Sequence, residues 1–352
     1  MKVFLESHNI NNKAGGLGTF NFQLIKSLSK LNLFNLKITL NAKYPSELKD
    51  VFGNVFIYKK YTSFERHLIF RNKGKYDVWH SLNQNTKVEP FFKPKKYILT
   101  IHDVNFVEEI SSDMTHKVNK NFIKKLNRAD IITYISEFAK YQTHLYFKVP
   151  NVPEVIIYNG NPCEEIIEDN PYKSDFIIDK PFLYSIGDFI PRKNFLALVK
   201  MMQNIDNFIL IISGNNEKEY GQEIKKYIVE NDLQKKIILT GKVADAAKQY
   251  YLKNCTAFLF PSIREGFGLP PIEAMMFDKP VFLSKLTSLP EIGGDAAFYW
   301  DNFDPIYMRD FLFESLSDFN TNPKKYLDKI RARARFFSWE KAANQYLELY
   351  KK

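Results

Sequence analysis

Short apolar runs bounded by polar, glycine or proline residues recur along the chain. Lys2–Glu6, Leu36–Leu40, Asn54–Tyr58, Tyr97–Ile101, Asp130–Ile135 and Val155–Tyr158 are rich in β-branched and aromatic residues, and their brevity predicts buried strands. Between several of them lie longer stretches with helical spacing, such as Phe20, Leu24, Ile25 and Leu28. This alternation predicts parallel sheets covered by helices. The pattern restarts after residue 180, with strands expected at Phe182–Ile186, Asn207–Ile212, Lys236–Thr240, Cys255–Phe260 and Pro280–Ser284. The fold class is therefore α/β, with two doubly wound domains. Residues 161–180 carry Pro162, Pro171 and the acidic pairs Glu164-Glu165 and Glu168-Asp169, which mark a linker. The expected boundaries are 1–160 for the first domain, 181–335 for the second, and 336–352 for a terminal helix whose Ala343, Tyr346, Leu347 and Tyr350 need a surface to cover.

Composition agrees with two globular cores: 352 residues at 45% hydrophobic content exceed what one domain usually needs. The start of the chain turns polar at Glu6 and lacks the apolar core of a secretory signal, and no run approaches a membrane span, so a cytoplasmic place is expected. Two cysteines, Cys163 and Cys255, are too few for a disulfide framework, and the six histidines show no metal-binding spacing. No cofactor or metal is expected. Residues 1–160 hold 24 Lys and Arg against 13 Asp and Glu, whereas residues 161–352 hold 26 against 27. The first half thus carries the basic excess, which suits an anionic partner or a solvated lysine-rich surface. In that half, Lys117, Lys120, Lys124, Lys125 and Arg128 interleave with Phe122, Ile123 and Leu126. That stretch is either a face for anionic lipid or a helix whose apolar stripe packs inward.

Candidate chemistry concentrates after the expected strand ending at Phe260. The loop runs Pro261-Ser262-Ile263-Arg264-Glu265-Gly266-Phe267-Gly268, and Pro270-Pro271 suits the first turn of a helix expected to reach about Phe277. Ligands of open α/β sheets bind at this carboxyl edge. The amides of Gly266, Phe267, Gly268 and Leu269 are placed to meet a diphosphate, and the carboxylates of Glu265 and Glu273 are placed to meet sugar hydroxyls at either end of one extended ligand. Arg192 and Lys193, in the turn after Phe182–Ile186, offer cations for the charge of a departing phosphate.

The segment E-G-F-G-L-P-P-I-E-A, with Glu265 and Glu273 eight positions apart, resembles the signature of family 4 glycosyltransferases. The resemblance implies the GT-B fold, two Rossmann-like domains facing a central cleft with a C-terminal helix crossing back to the first. It implies a retaining, metal-independent front-face displacement, with the donor held by the second domain and the acceptor by the first. Glu265 would contact the transferred sugar and Glu273 the ribose of the nucleotide. In Ser185-Ile186-Gly187-Asp188-Phe189-Ile190-Pro191-Arg192-Lys193, Lys193 matches the family's phosphate-binding lysine, while Asp188 stands where an arginine is usual, leaving Arg192 to supply the second charge. His102, in Thr100-Ile101-His102-Asp103, resembles the family's active-site histidine. Ala14-Gly15-Gly16-Leu17-Gly18 resembles its glycine-rich loop, with Gly16 and Gly18 as donor contacts. The same loop fails the dinucleotide fingerprint, because Asn21 occupies the third glycine position.

The function implied is transfer of a sugar from a nucleotide-diphospho-sugar to a hydroxyl of a glycan or lipid-diphosphate-linked acceptor, in lipopolysaccharide O-antigen or capsule synthesis. A GDP-mannose-like donor is favoured, with UDP- and dTDP-sugars open. The basic first domain leaves open a peripheral place on the inner face of the membrane. The competing readings are a GT-B-type epimerase or phosphorylase and a non-catalytic sugar-nucleotide-binding protein. Nucleic acid is not expected as a partner, since the sequence has no zinc-finger, RNP or basic-zipper pattern.

Overall fold

The computed structural model describes residues 1–12, 15–163 and 166–352; Ala14 of the glycine-rich turn and Glu164-Glu165 of the linker lie outside them. Two compact units result: Met1–Pro162 together with Ser338–Lys352, and Cys163–Phe337.

Among the described residues the first unit holds seven parallel strands: β1 (Lys2–Glu6), β2 (Lys37–Ala42), β3 (Ile57–Lys60), β4 (Val78–Ser81), β5 (Lys96–Ile101), β6 (Ile131–Tyr134) and β7 (Glu154–Ile156). Their order is β3-β2-β1-β4-β5-β6-β7, so the sequence of strands reverses between β1 and β4. The second unit holds β8 (Phe182–Ile186), β9 (Ile209–Ser213), β10 (Ile237–Gly241), β11 (Ala257–Phe260), β12 (Val281–Ser284) and β13 (Phe298–Trp300). Here the order β10-β9-β8-β11-β12-β13 reverses between β8 and β11. Such reversals open a crevice at the carboxyl ends of the strands, because the two flanking connections leave in opposite directions.

Near-continuous apolar strands follow from burial on both faces. In the second unit Leu183, Leu210, Ile212, Ala257 and Leu259 face one core, which helix residues Leu198 and Met201 complete. The alternate residues Phe182, Tyr184, Ile209, Ile211, Phe258 and Phe260 face a second core with Tyr251 and Met275. Residues after Ile166, expected as linker, lie along this unit: Ile167 N donates to Gln249 Oε1 at 2.9 Å, and the Tyr172 ring lies 5.3 Å from that of Tyr250.

The terminal helix, Trp339–Lys351, packs within the first unit. Ser338 caps it, accepting from Lys341 N at 3.3 Å. Its apolar face inserts Ala343, Tyr346 and Tyr350, and the two phenols reach buried polar strand residues. Tyr350 Oη lies 2.8 Å from His80 Nδ1, Tyr346 Oη lies 3.2 Å from Thr100 Oγ1, and His80 Nε2 lies 2.8 Å from the same threonine oxygen. These bonds satisfy groups whose burial would otherwise be costly. Gly160 permits the close approach, since an added Cβ would overlap the backbone of Trp339.

The helix Lys117–Leu126 resolves the two readings of its basic face. Phe122 and Leu126 sit in the core, and Lys125 is itself buried, 3.3 Å from Glu89 Oε1. Its apolar stripe is covered by the unit. No described helix is long and apolar enough to cross a membrane.

Burial lowers the pKa of His80 to about 3 and that of His102 to about 4. Both are neutral in the folded unit and acquire protons on unfolding, so their contribution is complete above the unfolded value of about 6.5 and is lost as pH falls toward 4. All six histidines lie in the first unit. Hydrogen exchange should therefore show the protection of β1–β6 falling between pH 6.5 and 5, by roughly 1.4 kcal/mol per histidine per pH unit, once intrinsic exchange rates are removed. Equal slopes in both units would contradict this.

Candidate active site

In the second unit the loops after β8 and β11, which flank the reversal in strand order, are tied to each other. Ile263 N donates to Arg192 O at 2.8 Å. Lys193 Nζ donates to Glu265 Oε1 at 2.5 Å, and Arg192 Nη1 lies 3.3 Å from Glu265 Oε2. Ser262 Oγ lies 2.7 Å from Glu265 Oε1, and Glu265 N donates to Thr287 Oγ1 at 3.1 Å. Lys193 Nζ also stands 4.6 Å from the centroid of the Phe260 ring. Burial pushes the Glu265 carboxyl upward, but Lys193 and Arg192 more than offset it and hold the group below the usual carboxylate range. Burial lowers the Lys193 ammonium despite Glu265. The contact is a buried, charge-assisted ion pair.

Glu273 lies in the helix Leu269–Met275, two residues shorter at its end than expected. Its Oε1 receives Lys248 Nζ at 2.6 Å, and Asp245 Oδ1 lies 3.0 Å from the same ammonium. Burial raises the Glu273 carboxyl, opposed by Lys248. Burial alone would lower Lys248, but Glu273 and Asp245 outweigh it and hold the ammonium above its ordinary value. A seven-residue helix has only a small dipole to offer an anion, so the cations of the neighbouring loop and helix carry most of the local positive field.

Gly266 and Gly268 belong to the same loop, and Gly268 adopts φ 112°, a conformation that favours glycine. The Phe267 ring is buried, 5.4 Å from that of Phe337. Leu269, at the start of the helix, is half-buried. Asp188 pairs with Lys218, whose Nζ lies 3.5 Å away. This places a cation beside the position where the family pattern has arginine.

In the first unit His102 follows β5 and is buried. Its Nε2 lies 2.9 Å from Leu82 O, and its backbone N–H donates to Gln84 Oε1 at 3.1 Å. Because the ring is neutral at pH 7, that carbonyl fixes the proton on Nε2 and leaves Nδ1 as an acceptor. Gly16 opens the helix Gly16–Ser29 and is exposed. Gly18 is buried; an added Cβ would overlap the carbonyl of Asn12, so chain packing already accounts for this glycine.

A polar cluster lies at the carboxyl edge of β1 and β2. Glu6 is bonded to His8, Asn41 Nδ2 donates to Glu65 Oε2 at 2.9 Å, and Ser7 Oγ donates to Asn41 O at 3.0 Å. Among the described residues, Glu6 Oε2, Asn41 Oδ1 and Tyr61 Oη are buried without a hydrogen-bond partner. Among the same residues no group of three or more His, Cys, Asp or Glu is arranged to hold a metal ion.

Residues 155–303 match the model of glycosyl transferases group 1. Along its whole length the chain is 25% identical to O-antigen chain mannosyltransferase B from Escherichia coli, covering 100% of both. In fold it is similar to sucrose-phosphate synthase from Thermosynechococcus elongatus, with a TM-score of 0.75 and 18% identity over 100% of this chain and 98% of that one. It is also similar to Anabaena Alr3699/HepE in complex with UDP-glucose, with a TM-score of 0.72 and 15% identity over 99% and 98%. The chain is a glycosyltransferase of the GT-B fold.

Lys248 of this glycosyltransferase carried no signal in the sequence: it lies on another helix, 25 positions before Glu273, and looks like any surface lysine. The Glu6, Asn41, Glu65 and Tyr61 cluster was equally silent, since separate segments contribute it. Buried polar edges of this kind become visible only once the strands are in register.

Removing one partner of a buried pair strands the other, at a cost of about 3–5 kcal/mol. Lys193→Ala should therefore lower the urea-unfolding free energy of the second unit by that order. Adding Glu265→Ala should recover part of the loss, giving a coupling well above about 1 kcal/mol in a double-mutant cycle. Strictly additive losses would show that the two side chains do not support each other.

Proposed function

We propose that this glycosyltransferase is a retaining, metal-independent hexosyltransferase of the family 4 type. In this reading it moves a sugar, mannose from GDP-mannose being favoured, to a hydroxyl of a glycan or lipid-linked acceptor in surface-polysaccharide synthesis. It works on the cytoplasmic side of the membrane. The observation that carries the reading is the Lys193–Glu265 contact beside Arg192 at the β8/β11 reversal. It is joined by full-length similarity to an O-antigen chain mannosyltransferase.

In this reading the diphosphate of the donor takes a share of the Lys193 and Arg192 charge that Glu265 holds in the free protein. Glu265 then accepts hydroxyl hydrogens of the transferred sugar. Glu273, oriented by its pairing with Lys248, has an oxygen for the ribose. The bond from the anomeric carbon to the diphosphate oxygen breaks as the acceptor oxygen bonds to the same face of that carbon. The acceptor proton passes to the leaving diphosphate, whose growing charge Lys193 and Arg192 stabilise; such preorganised cations contribute several kcal/mol. Neutral His102 is suited to accept a hydrogen bond at Nδ1 from a sugar hydroxyl. The unpartnered oxygens of Glu6, Asn41 and Tyr61 are suited to acceptor hydroxyls.

A thermal-shift screen against GDP-, UDP- and dTDP-sugars, followed by proton NMR of the product formed with the best donor, tests this reading. Binding at about a hundred times Kd stabilises by about 2.7 kcal/mol, and the product should keep the donor's anomeric configuration without added metal. An inverted product, or activity abolished by EDTA and restored by a divalent cation, would contradict it. Epimerised or phosphorolysed donor without any transfer would favour the competing enzyme classes.

A further inference from the structure

The first unit exposes a run of apolar side chains that its core leaves uncovered. Phe64 is 63% exposed, Leu68 61%, Ile69 70% and Phe70 54%. They sit on two consecutive short turns, Ser63–Arg66 and Leu68–Phe70, with the rings of Phe64 and Phe70 5.6 Å apart. The strip continues across the chain. Asn72 forms a bridge with Pro90, and Phe91 N donates to Asn72 O at 3.1 Å, which brings the exposed Phe91 and Phe92 alongside.

The charge on this strip has one sign. From Lys59 to Tyr76 there are six Lys and Arg against a single acid, Glu65. Glu65 turns inward, buried, to meet Asn41. Lys73 and Lys75 lie 5.6 and 5.7 Å from the ring centroids of Phe91 and Phe92. The next acid, Asp77, is held by Lys95 at 2.8 Å. A cavity of about 610 Å³ opens beside Phe92, lined by Lys2, Lys37, Lys75, Lys93 and Lys95 among others. Exposed aromatic and aliphatic side chains rimmed by lysine match the boundary of an anionic bilayer. There the rings enter below the headgroups and the basic residues are attracted by the negative surface potential.

We propose that this strip docks the protein on an anionic phospholipid membrane, with Phe64, Leu68, Ile69 and Phe70 entering the headgroup boundary and the lysine-lined cavity receiving lipid phosphate. The surface differs from the helix Lys117–Leu126, whose apolar stripe is already covered. Glu65 joins the strip's turn to the Asn41 cluster, so docking presents that polar edge to molecules carried in the bilayer. This last consequence rests on the acceptor reading above; the docking does not.

Co-sedimentation of the full chain with phosphatidylcholine vesicles, and with vesicles of equal phosphatidylcholine and phosphatidylglycerol, tests the proposal. It needs no donor or acceptor, so its outcome is independent of glycosyl transfer. Two double variants, Phe64→Ser with Phe70→Ser and Lys73→Gln with Lys75→Gln, are compared with the parent after melts confirm folding; if either fails to fold, Ile69→Ser or Lys73→Gln alone replaces it. The expected result is at least tenfold stronger binding to the anionic vesicles, weakened by salt, and at least a tenfold loss in each double variant. Equal binding to both vesicles, or variants that bind like the parent, would overturn it. So would a dimer that dissociates on Phe64→Ser with Phe70→Ser while no vesicle binding occurs, since the strip would then cover a second copy of the chain.

Discussion

A carboxylate buried at the carboxyl edge of a parallel sheet must be paired, and the second unit is arranged around that requirement. Glu265 loses water when its loop folds over β11, at a cost that a lone carboxylate does not survive as an ion. Lys193 and Arg192 supply the compensation from the loop after β8. Because β8 and β11 are neighbours at the reversal in strand order, two segments about 72 positions apart in the chain meet there. In the proposed function, the pairing holds cation and carboxylate ready for a ligand that can share both.

A second pairing, Lys248 with Glu273, repeats the logic on adjacent helices. In each case a basic residue pairs with a buried glutamate and orients its carboxylate. The first unit solves a different problem. The His80 ring is buried and neutral, and the phenol of Tyr350 on the terminal helix satisfies one of its nitrogens where a carboxylate serves elsewhere. The terminal helix therefore belongs to the polar interior of that unit as well as to its apolar core.

Much of the architecture was legible because parallel strands buried on both faces read as plain apolar runs. β1 and β8 begin and end where the pattern placed them. β4 escaped, since Val78-Trp79-His80-Ser81 is half polar and its His80 is satisfied only by residues far along the chain. The short edge strand β13 escaped for want of length. Glycine and proline made the loop before Glu273 readable, because their backbone limits are local. Lys248 and the Glu6 cluster were not readable, because ordinary residues acquire those roles only through tertiary placement. Periodicity found the apolar stripe of Lys117–Leu126 but not the direction it faces. The run from Phe64 to Phe70 has the composition of a core segment, yet the fold leaves most of it in solvent.

In the proposed function, Lys193 and Arg192 exchange part of their hold on Glu265 for the diphosphate of a sugar nucleotide. A crystal structure with a bound nucleoside diphosphate decides whether this exchange takes place. The expected result places diphosphate oxygens about 3 Å from Lys193 Nζ, with ribose hydroxyls on Glu273. A nucleotide bound elsewhere, with Lys193 contacting Glu265 alone, would rule the exchange out.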